Sequence, residues 1–210
     1  MNTDNTAQDN AEPSPLRSRL RRARAGLPSA ERDRGSLLMR GRLYTWLGLA
    51  RDAAGRGGQP GPQSVAAFWP MPDEPDLRPL LTQWAESGVT VALPVVGQRH
   101  APLEFRRWTP GTAMRAGAYG ISEPQDTDSV LPDVVLVPTL GYTDRADRVG
   151  YGAGYYDRTL AALRQRGHPH VSIGIAWECG RIDDPDYRPA AHDIALDAIL
   201  TPAGWVPAAP

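Results

Sequence analysis

Residues 133–138, DVVLVP, form a continuous apolar run. A run without the alternation of a half-exposed strand is expected of a parallel strand covered on both faces. Such a strand needs helices on either side of it, which constrains the fold more than any other feature of the chain. The rest of the sequence supplies them. SVAAFW (64–69), VTVALPVV (89–96), VSIGIAW (171–177) and DAILT (197–201) read as further strands, and LEFRRW (103–108) alternates like a half-exposed one. Helices are predicted over 15–25, from about 30 to 51, over 76–86 and over 155–166. Leu16, Leu20, Ala23 and Leu27 form an apolar stripe on the first, and Arg17, Arg21 and Arg24 share another face, on which Arg21 and Arg24 read as a solvated basic surface. The second helix is expected to start at an N-cap, Ser29, and to carry Leu37, Leu38, Leu43, Trp46 and Leu47. AGRGGQPGPQ (54–63) reads as a loop. The expected architecture is an α/β fold: a single-domain, doubly wound, mainly parallel sheet with flanking helices over 15–205, preceded by a disordered polar leader over 1–14.

Composition narrows the function. The chain has 210 residues with 23 basic and 24 acidic side chains, so the net field offers no bulk attraction to nucleic acid or membrane. All the basic residues are arginine. The absence of lysine excludes lysine Schiff-base catalysis and a lysine-dependent phosphate loop. The single cysteine, Cys179, allows no intrachain disulfide and suits a reducing compartment. With no apolar run of membrane-spanning length and a polar N-terminus unlike a signal peptide, the expectation is a cytoplasmic protein.

The segment RVGYGAGYYDR (148–158) lies between a predicted buried strand and a predicted helix. Its glycine spacing matches neither the dinucleotide fingerprint nor the P-loop. In that position it is either a tight turn or an anion cradle, with backbone N–H groups and a helix N-terminus facing a phosphate. Arg148 can add a planar fork of donors. Asp157 reads as a first-turn acid or a metal ligand.

The stretch VLVPTLGYTDRADRVGYGAGYYDRTL resembles the signature of the 5-formyltetrahydrofolate cyclo-ligase family, also called methenyltetrahydrofolate synthetase. LRSRLRRARAGL (16–27), MPDEPD (71–76), VALPVV, LEF, AGAYGISEP (116–124) and HDIALDAILTP (192–202) continue the resemblance in family order across nearly the whole chain. It implies a ligase of one-carbon metabolism that uses ATP and Mg²⁺ to convert 5-formyltetrahydrofolate into 5,10-methenyltetrahydrofolate, releasing ADP and phosphate. The formyl oxygen attacks the γ-phosphate, N10 closes the ring, and phosphate departs. Such chemistry asks for positioned phosphates and neutralised charge more than for a protein nucleophile.

By the same resemblance, Arg17, Arg21, Arg148, Gly150, Tyr151, Gly152, Ala153 and Gly154 contact ATP, with Arg21 and Arg24 less firmly placed than Arg17. Asp157 and Asp193 hold magnesium, with Asp197 a weaker third candidate. Glu74, Met71 and Tyr155 meet the folate, Tyr155 and Arg148 flank the transfer, and Phe68 and Trp69 are candidates for an apolar slot. His192 is assigned a structural role. The expected partners are 5-formyltetrahydrofolate and ATP, with no nucleic acid and no membrane, and the chain is expected to be a monomer.

The chain departs from the family pattern at Pro13 and Ala153, where many members carry lysine, and at Leu77, where threonine is frequent. RPAA (188–191) stands where the family has an acid. Two alternatives therefore stand beside the enzyme: a non-catalytic folate- or nucleotide-binding homologue on the same fold, and a nucleic-acid module using RSRLRRARAGLPSAERDR. The near-zero net charge and the lack of a recognition module oppose the second.

Overall fold

The computed structural model describes residues 14–190 and 193–210. Helices α1 (Pro15–Ala25) and α2 (Ser29–Arg56) precede β1 (Ser64–Ala66), α3 (Arg78–Glu86), β2 (Thr90–Val95) and β3 (Glu104–Arg107). A hairpin of β4 (Met114–Ala116) and β5 (Ser122–Pro124) leads to β6 (Val134–Pro138) and a second hairpin, β7 (Gly141–Tyr142) and β8 (Arg148–Val149). Helix α4 (Tyr155–Gln165), β9 (Val171–Ile175), β10 (Ala198–Leu200) and β11 (Trp205–Val206) complete the order.

The main sheet runs β11-β10-β9-β6-β1-β2-β3, parallel except where β3 and β11 pair antiparallel at the edges. This is the expected doubly wound α/β sheet. Alternate side chains of its central strands divide between two cores. Val65, Leu93, Val134, Leu136 and Ile173 face α2 and α3. Ala66, Ala92, Val135, Val137 and Ile199 face Leu160 and Leu163 of α4. Because both faces are covered, β6 is buried at every position, as its unbroken apolar run requires. Strand order reverses between β1 and β6, and the carboxyl ends of those strands open a crevice there.

Several local expectations need correction. Ser29 lies inside α2, with Pro28 at the N-cap position and no side-chain cap, and the helix continues to Arg56, where Gly57 ends it. Leu37 and Leu38 are exposed; the buried face is Gly35, Ser36, Met39, Leu43, Trp46 and Leu47. Close approach explains the glycine, since a Cβ at Gly35 would lie 2.6 Å from the Trp177 ring and 2.9 Å from Pro202. Ala23 is exposed on α1. Ser14, placed in the expected leader, caps α1 by accepting from the Arg17 N–H at 3.4 Å; residues 1–13, including Pro13, lie outside the described residues. Strand β1 stops at Ala66, so Phe68 and Trp69 leave the sheet at its carboxyl end.

Candidate active site

The crevice at the strand-order reversal holds a cleft of about 370 Å³. Phe68, Trp69, Pro94, Val96 and Pro138 floor it from the ends of β1, β2 and β6. The hairpin after β6 turns the chain across the crevice, and residues 150–154 cross its mouth before α4 begins. Gly152 (φ 101°) and Gly154 (φ 67°) adopt left-handed backbone that a β-carbon would strain. At Gly150 a β-carbon would collide with the Arg148 guanidinium. The bare backbone thus lets the turn reverse direction beside an arginine.

Helix α1 is held against this turn by Leu20, which packs with Leu140, Val149 and Ile182. That docking directs Arg17 and Arg21 to the turn: Arg17 Nε donates to the Gly150 carbonyl at 3.1 Å, and Arg21 Nη2 to that of Tyr151 at 3.4 Å. Arg148, buried on β8, donates through Nη2 to Asp157 Oδ2 at 2.8 Å. Its Nε is buried with no hydrogen-bond partner among the described residues. Asp157 stands in the first turn of α4, and its other oxygen accepts from the Ile194 N–H at 3.3 Å. Asp193, the residue before Ile194, lines the same cleft and accepts from the Ala190 N–H at 2.8 Å. The two magnesium candidates therefore line one cleft although the sequence separates them.

Asp197 is different: its carboxylate accepts from the Ser172 N–H and hydroxyl, both at 2.7 Å, at the start of β9. That role ties two strands together, and Asp197 does not line the cleft. His192 lies outside the described residues.

Glu74, in the same cleft, is 7% exposed and accepts from the Met71 N–H at 2.9 Å and from the Tyr151 hydroxyl. Burial pushes its carboxyl above the ordinary glutamate value; the Tyr151 hydroxyl, the Met71 N–H and Arg24 oppose that rise. Burial likewise raises the Tyr151 phenol, which stays a neutral donor. Arg24 is a second correction on α1. Instead of forming a solvated face it is 6% exposed, donating to Asp73 at 2.8 Å and to the Tyr151 hydroxyl. Tyr155 packs edge-on against Tyr119 at 6.2 Å, and the Tyr156 hydroxyl is buried without a hydrogen-bond partner among the described residues.

Arg17, Arg21, Met71, Glu74, Arg148, residues 150–155, Asp157 and Asp193 all line this one cleft, whereas Arg24 and the third metal candidate, Asp197, are not among its lining residues. The description "5-formyltetrahydrofolate cyclo-ligase family" belongs to a sequence model that matches residues 9–202. The chain belongs to this family. A 5-formyltetrahydrofolate cyclo-ligase of Mycolicibacterium smegmatis is 33% identical over 203 residues, covering 90% of this chain and 93% of that protein. The enzyme of the same name from Escherichia coli K12 is 31% identical over 146 residues, 67% of this chain and 78% of its own. The Aquifex aeolicus 5,10-methenyltetrahydrofolate synthetase structure superposes with a TM-score of 0.74 at 25% identity, covering 90% of this chain and 89% of that one.

Within the family frame, the departure at Ala153 has a structural counterpart. Arg158, one turn into α4, reaches back to donate to the Ala153 carbonyl at 2.6 Å and lies 5.1 Å over the Tyr155 ring. The sequence reading missed it, although an arginine four residues after a glycine is the spacing that returns a helical side chain to the first turn. Tyr119, Glu123 and Tyr187, which line the cleft, were missed too, whereas Arg158 is not among the lining residues. Glu123 is buried, pairs with Arg115 at 2.9 Å and is the acidic member of AGAYGISEP. Among the described residues no helix is long and apolar enough to cross a membrane.

Proposed function

We propose that this protein uses ATP and Mg²⁺ to convert 5-formyltetrahydrofolate into 5,10-methenyltetrahydrofolate, releasing ADP and phosphate. One observation carries the reading: Arg17, Arg148, the glycine turn and two acids line the same cleft as Glu74. The first group suits a triphosphate and Glu74 a pterin.

The turn's backbone and the N-terminus of α4 bind phosphate oxygens, with Arg17 and Arg148 neutralising their charge. The unpartnered Arg148 Nε is a donor still to be satisfied there. Asp157 and Asp193 fit Mg²⁺. Among the described residues no group of three His, Cys, Asp or Glu side chains gathers to cage a metal, and Mg²⁺ takes one or two carboxylates plus substrate phosphates and water. When bound, the ion draws charge from the phosphates. Glu74 accepts N–H groups of the pterin, and Tyr155 with Tyr119 covers the reacting edge. Transfer then depends on alignment of the formyl oxygen with the γ-phosphorus within the one cleft.

The test is near-ultraviolet absorbance of methenyltetrahydrofolate from purified protein, 5-formyltetrahydrofolate, ATP and Mg²⁺. Product that requires both ATP and Mg²⁺ supports the reading. A folded protein that binds the folate and forms no product overturns it in favour of a non-catalytic homologue.

A further inference from the structure

We propose that Arg24, acting through Tyr151, is a positioning residue that keeps Glu74 ionised and aimed into the cleft. The proposal rests on the reading of Glu74 as the pterin acceptor and adds how that acceptor is maintained.

Glu74 has the wrong surroundings for a carboxylate that must accept hydrogen bonds. It is 7% exposed, and the groups that face it are Asp73 from its own loop, Tyr156 from α4, Tyr151 from the glycine turn and Arg24 from α1. Only one of these is a cation. Arg24 Nη1 lies 3.7 Å from Glu74 Oε1 and donates to the Tyr151 oxygen, whose proton is donated in turn to Oε1. The guanidinium is fixed from behind by Asp73 at 2.8 Å, and the Asp73 carbonyl accepts from Trp177 Nε1 at 2.8 Å. The Arg24 and Arg21 guanidinium carbons also lie 5.2 and 5.7 Å over the Tyr151 ring, restraining its plane.

A cation this deep in α1 is costly unless it serves its partners, and Asp73 alone would be satisfied by an exposed pair. The geometry instead points Arg24 at Tyr151 and Glu74 together. Without it, Glu74 would sit buried beside an acid and two phenols. Burial already favours its protonated form, and a protonated Glu74 has lost acceptor capacity for pterin N–H groups. Because Tyr151 belongs to the glycine turn, the same chain of contacts joins that turn to Glu74.

The experiment uses protein with ¹³C-labelled glutamate carboxyls, the Glu74 signal being assigned with E74Q, and compares wild type with R24Q, R24K and Y151F. The titration midpoint of Glu74 is expected to rise by about one pH unit or more in R24Q. The Kd for 5-formyltetrahydrofolate at neutral pH should increase about tenfold in R24Q and recover as pH is raised through the new midpoint. Y151F should shift both readouts in the same direction by less, and R24K should restore the midpoint. An unchanged midpoint and unchanged Kd in R24Q, or in Y151F if R24Q does not fold, overturn the proposal. The carboxyl titration requires no turnover, so a protein that shows these shifts but makes no methenyl product refutes the cyclo-ligase reading alone.

Discussion

Arg148 Nη2 and Asp157 Oδ2 meet at 2.8 Å across the glycine turn, with side chains only 6% and 13% exposed. The pair joins the strand before the turn to the helix after it, so the turn's shape depends on two charges that are also the phosphate and metal candidates. Asp157→Ala would leave the Arg148 cation buried and uncompensated, a loss on the order of 3 kcal/mol. Urea unfolding should show it, and the double variant with Arg148→Ala should recover part. Mg²⁺ with ATP is expected to raise the melting temperature of the wild type and to leave that of Asp157→Ala unchanged.

Gly152 separates strain from space. A β-carbon there would be 3.8 Å from Arg17 Nε, an ordinary contact, yet φ is 101°. Gly152→Ala should cost about 1–2 kcal/mol through backbone strain alone. A larger effect is expected on function: KM for ATP should rise severalfold with KM for folate nearly unchanged. Equal rises in both would place the turn elsewhere in the reaction.

Asp197 provides the contrast to Asp157. Asp197→Ala removes the acceptor for two Ser172 donors and should destabilise by about 1–3 kcal/mol. Below its melting temperature the variant should keep wild-type dependence of activity on Mg²⁺ concentration. A raised Mg²⁺ requirement would instead support Asp197 as a metal ligand.

Asp76 carries a pH signature. Burial raises its carboxyl, but the Arg78 side chain and backbone N–H outweigh burial and leave it below the ordinary value of 3.8. A carboxyl lowered in the folded state contributes stability above its unfolded value, and loses it as pH falls through the folded one. Its side chain is 37% exposed, so screening limits the contribution to under about 1 kcal/mol. Asp76→Asn should therefore be slightly less stable than wild type at neutral pH, and the difference should close below pH ~3.8. A difference that persists in acid would assign the effect to the amide's own hydrogen bonds.

The sequence made visible whatever repeats locally. The apolar run of β6, the alternation in β3 and the helical spacing of α1 and α4 each announce an element within a few residues. The hairpins β4–β5 and β7–β8 escaped because strands of two or three residues are shorter than any periodic signal. On α2 the exposed Leu37 and Leu38 look as apolar as the buried Met39, and only the position of the sheet says which face turns inward.

Within the site, the available chemistry is legible in the residues alone: arginines without lysine, bare backbone before two tyrosines, and acids in family order. Tertiary structure decided which of these groups act together. Arg24 is a solvated cation on an isolated helix; its partners Asp73 and Tyr151 are 49 and 127 residues away and arrive only when α1 docks on the β7–β8 hairpin. Asp157 and Asp197 are each acids near a helix or strand terminus, yet one faces Arg148 and the cleft while the other is spent on Ser172. Charge in a protein takes its role from what surrounds it, and surroundings assembled from distant segments are not written in any one of them.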